Sequence, residues 1–196
     1  MDKAGLLRTI AETGYNVGFG AKKTFATFDI VEKGPGWIGF ISLAIGIYAL
    51  YVESLATKFP SATLIVAGVA ALYISFYKSS DYEKAGNEQI KLFYRLRDLY
   101  REVSGDADIV VSQAKLAQIE SEFCKAAISK QIFLSDWYAH YKFFAQTQIG
   151  WIDEQLSFKV WKDMIPFSAK TVIIILAIAI IGYVIGSCVA AHLLWY

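Results

Sequence analysis

Apolar residues in this chain gather into three long runs, separated by a polar stretch in which they recur at helical spacing. The first run, Trp37 to Ala56, has the length of about 20 residues that a helix needs to cross a hydrocarbon core. Thr57-Lys58-Phe59-Pro60-Ser61 follows, and Pro60 predicts a break there, with just enough chain for a tight helical hairpin. The second run, Ser61 to Tyr77, carries no charge and spans about 26 Å at ~1.5 Å per residue. That is short for a lone span, and pairing with the first run or local thinning of the bilayer offsets the shortfall. The third run, Thr171 to Tyr196, opens with Val172-Ile173-Ile174-Ile175-Leu176, and Pro166 and Ser168 before it suit a helix entry.

The polar middle reads as helices. Tyr82, Ala85, Gln89, Leu92, Leu96, Leu99 and Val103 recur at alternating gaps of three and four, a heptad seam with one polar position at Gln89. The seam starts where the second run ends, which predicts one helix leaving the membrane uninterrupted until Ser104-Gly105-Asp106 stops it. A second helix is expected from about Asp108 to Lys130, with Leu116, Ile119, Phe123 and Ala126 on one face. A third is expected from about Ser135 to Asp163, carrying Trp137, Tyr141, Phe144, Gln148, Trp151 and Phe158. Before the first run, Lys22 to Lys33 reads as a short amphipathic helix on the membrane surface, with Phe25, Phe28 and Ile30 toward lipid. The glycines of Gly14-Tyr15-Asn16-Val17-Gly18-Phe19-Gly20 fit a flexible turn equally well.

The fold class expected is an all-α integral membrane protein. Its parts are an N-terminal cytoplasmic or interfacial segment (1–36), a transmembrane hairpin (37–77), a cytoplasmic, coiled-coil-like helical region (78–169) and a third transmembrane helix (170–196). Composition agrees: 56% of residues are apolar and 19% charged, against about 45–50% and 25% in soluble domains. This excludes a disordered chain, a collagen-like chain and a disulfide scaffold. Lys22, Lys23 and Lys33 precede the hairpin, and Lys78, Lys84, Lys91, Arg95, Arg97 and Arg101 follow it. By the positive-inside rule the N-terminus and middle then face the cytoplasm and the C-terminus lies outside. Trp37, Trp195 and Tyr196 sit at span ends, as interfacial aromatics do.

Net charge is only +1, so no global basic excess supports direct nucleic-acid binding. Cys124 and Cys188 lie in different environments, and with only His140 and His192 beside them no zinc set emerges. No catalytic motif is present, and no cofactor or metal is expected. His140 reads as a helix-face residue. Arg95, Arg97 and Arg101 interleave with Asp98 and Glu102, which suits a solvated ion-pair face better than a phosphate grip.

Small residues carry the remaining signal. Gly39, Ser42, Gly46, Ala49 and Glu53 follow one another at helical spacing along the first run. They fit either a pore-lining stripe with Glu53 near its outer mouth, or a packing seam with Glu53 snorkelling to the far interface. Gly68, Ala71 and Ser75 form a second stripe, and Gly182, Gly186 and Ala190 a third. Leu92, Leu96, Leu99 and Val103 are a candidate oligomer seam.

A short lead, a tight two-span hairpin ending in Tyr77-Lys78, and then Leu92-Phe93-Tyr94-Arg95-Leu96-Arg97-Asp98-Leu99-Tyr100 together resemble the SLATT family, over roughly Phe19 to Asp163. These are the SMODS- and SLOG-associating two-transmembrane effector domains. The resemblance implies a non-enzymatic effector in the inner membrane of a bacterium, acting in antiviral defence by abortive infection. It would oligomerise and permeabilise the bilayer on activation, leading to growth arrest or cell death. The partner implied is a nucleotide-signalling enzyme or a reverse transcriptase and its product. The third span departs from the family pattern. A non-toxic membrane anchor whose helices dock a partner, at a face carrying Trp137, Trp151 and Trp161, is the other reading.

Overall fold

The structure is a computed structural model that describes residues 2–194, with side chains described for residues 2–185. It is built on one helix, α1 (Lys3–Tyr48), 46 residues long. Asp2 caps it, its carboxylate accepting the Gly5 N–H at 2.9 Å. The helix passes through Gly14, Gly18 and Gly20 and through Gly34-Pro35-Gly36 without a break. Neither the interfacial helix at Lys22–Lys33 nor the glycine turn forms. Instead Leu6, Ile10, Val17, Thr24, Thr27 and Val31 share a buried face, and the glycines lie under aromatic rings. Phe25 lies against Gly86, and Phe28 and Ile30 pack against a cluster of Val31, Tyr77, Tyr82 and Ile132 rather than facing lipid.

After α1 the chain turns through a 3-10 segment, Glu53–Ala56, into α2 (Lys58–Ser75). Pro60 sits in the first turn of α2 rather than before it, where its missing N–H has no intrahelical acceptor to lose. The helix expected to leave the membrane uninterrupted is broken: Lys78 is extended (φ −93°, ψ 106°) and α3 starts afresh at Ser79, ending at Ser104. Gly105 caps α3, and Asp106 takes a left-handed conformation (φ 73°). Asp108 then caps α4 (Ile109–Ala126), accepting the Val111 N–H at 3.0 Å.

The third helix of the polar middle is also broken, into α5 (Ser135–Gln146) and α6 (Gly150–Leu156). Thr147 is extended and Ser157 is left-handed (φ 50°), which the aromatic spacing did not register. No strand occurs among the described residues.

Residues up to Ser157 form one compact unit. Within it α3 runs antiparallel to α1. Lys3 at the start of α1 donates to the Ser104 carbonyl at 3.0 Å and pairs with Asp106, while Phe25 meets Gly86. The heptad seam of α3 is real, but it faces inward: Leu92, Leu96, Leu99 and Val103 are at most 5% exposed. The chain's own helices cover them, so they are core rather than an oligomer seam. Gln89, the polar position, is 1% exposed and satisfied. It accepts from Thr24 Oγ1 at 3.1 Å and donates to the Ala126 carbonyl at 2.9 Å, joining three helices. Phe93 and Phe143 anchor the interior, each contributing about 1.5–3 kcal/mol by burial.

The second unit starts at Phe158. It holds a π-helical turn, Val160–Met164, and α7 (Phe167–Leu194). Pro166 leads into α7, accepting the Lys170 N–H at 3.1 Å, and Lys170 Nζ donates to the Lys162 carbonyl at 3.0 Å.

Candidate functional site: the membrane hairpin and its collar

Three described helices are long and apolar enough to cross a membrane: α1, α2 and α7. In α1 the crossing part begins near Trp37, because no residue of the helix beyond Val31 is fully buried while one face of the helix up to Val31 is packed. Leu43 is 64% exposed, Ile65 69% and Val69 61%, and α2 buries no residue. Such an apolar sheath is stable only in hydrocarbon. Aromatic side chains mark both ends: Tyr48, Tyr51 and Phe59 at the turn, and Trp37, Tyr73 and Phe76 at the base.

The two arms meet along a narrow seam. In the crossing part of α1 the half-buried positions are Ile38, Ser42, Ala44 and Ile45, with Ala49 just past its end; on α2 they are Pro60, Leu64, Ala67, Ala71 and Ile74. Gly34 continues the seam toward the base, where an added Cβ would lie 3.4 Å from Ile74 Cδ1. The expected stripes are therefore divided. Ser42, Ala49 and Ala71 belong to the seam inside the hairpin, whereas Gly39, Gly46, Gly68 and Ser75 are on its outside. An added Cβ at Gly39, Gly46 or Gly68 meets nothing within 4 Å. Glu53 is not on the α1 stripe at all. The helix ends at Tyr48, and Val52 is extended (φ −122°, ψ 100°), which places Glu53 in the exposed 3-10 turn. In the second unit Gly182 likewise faces open space. Gly186 and Ala190 lie outside the residues whose side chains are described, as do Cys188, His192, Trp195 and Tyr196.

The base of the hairpin is fixed to the bundle by a collar that the sequence reading missed. Val31, Tyr77, Tyr82 and Ile132 form a buried cluster, against which Phe28, Ile30, Ile74 and Ile128 pack. Tyr82 Oη donates to the Lys130 carbonyl at 2.6 Å, and Lys130 Nζ sits 4.4 Å from the centre of the Tyr77 ring. Just above, Asp29 accepts from Lys33 at 2.7 Å and pairs with Lys142 of α5. Burial raises the Asp29 pKa, but the hydrogen bonds from Lys142 and Lys33 outweigh this and hold it below the ordinary carboxylate value. The signal available in the sequence was the heptad-like run from Leu6 to Val31, which its glycines disguised as a turn.

The three tryptophans of the expected docking face lie on three different elements. Trp151 lies in the bundle, 5.8 Å from Phe93 and 5.3 Å from Tyr100 between ring centres. Trp137 is on α5, and Trp161 belongs to the second unit. His140 packs as a ring, 4.8 Å from Phe19 and 5.8 Å from Phe144. Arg95 reaches across to Glu122 of α4 and Lys115 to Glu102, so the α3 charges tie helices together as well as pairing along α3. Among the described residues no cluster of His, Cys, Asp and Glu has metal-binding form.

A hairpin of two apolar helices, one of which continues into a folded helical bundle, defines an all-α membrane protein. The chain belongs to the SMODS and SLOG-associating 2TM effector domain family, matching domain 6 of that series over residues 1–173. That range takes in the bundle and the hairpin and leaves most of α7 outside it. No curated protein and no solved structure matches the chain.

Proposed function

We propose that the protein is a membrane effector of a bacterial defence system, which assembles through its hairpin and permeabilises the inner membrane when activated. The observation that carries this reading is the outer face of the hairpin, where Gly39, Gly46 and Gly68 stand open between large aliphatic side chains. Glycines exposed on a membrane helix let a second helix approach closely. One chain has too few spans to enclose an aqueous path, so the path is built by several copies. The basic residues flanking the hairpin base support a cytoplasmic bundle. Membership in an effector family supports this output, and the partner is a component of the same defence system, a nucleotide-signalling enzyme or a reverse transcriptase with its product.

The test is membrane integrity during induced expression in bacteria, alone and with the genomic neighbours, read by a potential-sensitive dye and an impermeant DNA stain. Depolarisation that Gly46→Leu abolishes, with insertion intact, is the expected result. Depolarisation unchanged by Gly46→Leu removes the assigned face. A flat signal from inserted protein with its neighbours present replaces the effector with a passive anchor.

A further inference from the structure

A second place in the molecule carries polar chemistry that the hairpin does not use. The extended backbone at Thr147, between α5 and α6, opens a cleft of about 240 Å³ against α1 and α3. Its polar lining is Lys22 from α1, Tyr94 and Arg97 from α3, and Gln146, Thr147 and Gln148 from the break. The charges here do not cancel. Lys22 is half-buried and makes no ion pair or hydrogen bond among the described residues. Burial, and Lys142 nearby, push its ammonium below the ordinary lysine value. The Nε of half-buried Arg97 has no hydrogen-bond acceptor, and Asp98 approaches it only to 3.8 Å. The side-chain amides of Gln146 and Gln148 make no hydrogen bond among the described residues. Lys142, a third cation, is neutralised by Asp29.

Two half-buried cations that share only the loose contact of Arg97 with Asp98 are costly to hold together. A tetrahedral dianion supplies what the cleft lacks, namely negative charge for Lys22 and Arg97 and acceptors for the guanidinium and the amide N–H groups. We propose that this cleft binds the phosphate group of a small, soluble organic phosphate. The source is soluble because Lys22 lies about 22 Å from Trp37 along α1 at ~1.5 Å per residue, beyond the reach of lipid headgroups at the interface. Tyr94, 47% exposed at the rim, offers a surface for the organic part. This inference goes beyond the membrane-effector reading and stands without it, since binding is measured whether or not the membrane leaks.

The experiment is calorimetric titration of the full chain in phosphatidylcholine nanodiscs with inorganic phosphate, ribose 5-phosphate and, as a control, ribose. One saturable site per chain is expected for the two phosphates and none for ribose. Lys22→Gln and Arg97→Gln should each weaken binding about tenfold or more, the loss of one charge-assisted hydrogen bond. Gln148→Ala, at an exposed position, weakens it less and leaves the fold intact. Arg101→Gln, which lies on the same helix but outside the cleft, leaves binding unchanged. Absence of saturable phosphate binding overturns the proposal, as does equal weakening by Arg101→Gln. Loss of phosphate binding when anionic lipid is added to the nanodisc overturns the soluble source.

Discussion

The two halves of α1 use the same residue for opposite ends. In the first half, glycine is a seat for an aromatic ring. A Cβ at Gly14 would lie 2.2 Å from Trp151 Cη2, and one at Gly18 would lie 2.7 Å from Phe93 and 2.8 Å from Phe143. In the second half, Gly36, Gly39 and Gly46 face nothing within 4 Å. None of these glycines has a positive φ, so neither set is there for backbone freedom. The first set stabilises the bundle by close packing. The second leaves a surface that is finished only by something outside the chain. Helix continuity therefore says little about role, and what a missing Cβ would have touched says much.

Substitutions sharpen this contrast in a definite order. Phe143→Ala removes a fully buried ring and is expected to lower bundle stability by about 3–5 kcal/mol, read as a fall in the unfolding midpoint of the detergent-solubilised chain. Gly18→Ala is expected to cost about 1–3 kcal/mol by overpacking; a stability equal to the parent would show that Phe93 and Phe143 yield freely. Asp29→Asn leaves Lys142 half-buried without its counter-charge, at a cost of about 1–3 kcal/mol. The Asp29 carboxyl has its pKa lowered by folding, so its contribution is present at neutral pH. That contribution is lost as pH falls from the unfolded carboxylate value through the folded one. Parent and Asp29→Asn stabilities should thus converge in acid, and parallel curves would refute the linkage. Smallest of all, Gly39→Ala should change stability by no more than about 0.5 kcal/mol. Any effect it has on membrane leakage then does not come from folding.

How legible this was in the sequence differs along the same helix. Three apolar runs mark three spans because nothing but lipid tolerates such exposure, and the α3 seam is plain because leucines at heptad spacing have no other use. Ser104-Gly105-Asp106 and Asp108 marked their helix ends correctly, since a stop and a cap are local chemistry. The core role of Gly14 and Gly18 was hidden, because the ring that occupies the space of a missing side chain comes from Phe93, Phe143 or Trp151, far along the chain. The α5–α6 break was hidden for the converse reason. Aromatic residues kept their spacing across Thr147 while the backbone did not. Which small residues of the hairpin face inward depended on the rotation of one arm against the other, and spacing within either arm carries no trace of it.

The placement of α1 also sets an order of events during synthesis. Its first half leaves the ribosome before any of the rings that cover it, and its bonds reach far ahead: Thr24 to Gln89, 65 residues on, and Asp29 to Lys142, 113 residues on. Between the two come the apolar arms, which must be delivered to the bilayer while Leu6, Ile10 and Val17 are still uncovered. The first half of α1 is thus made well before the helices that enclose it. Until α3 emerges the inner face of α1 has no helix to cover it, and Phe143 and Lys142 of α5 complete the cover only later.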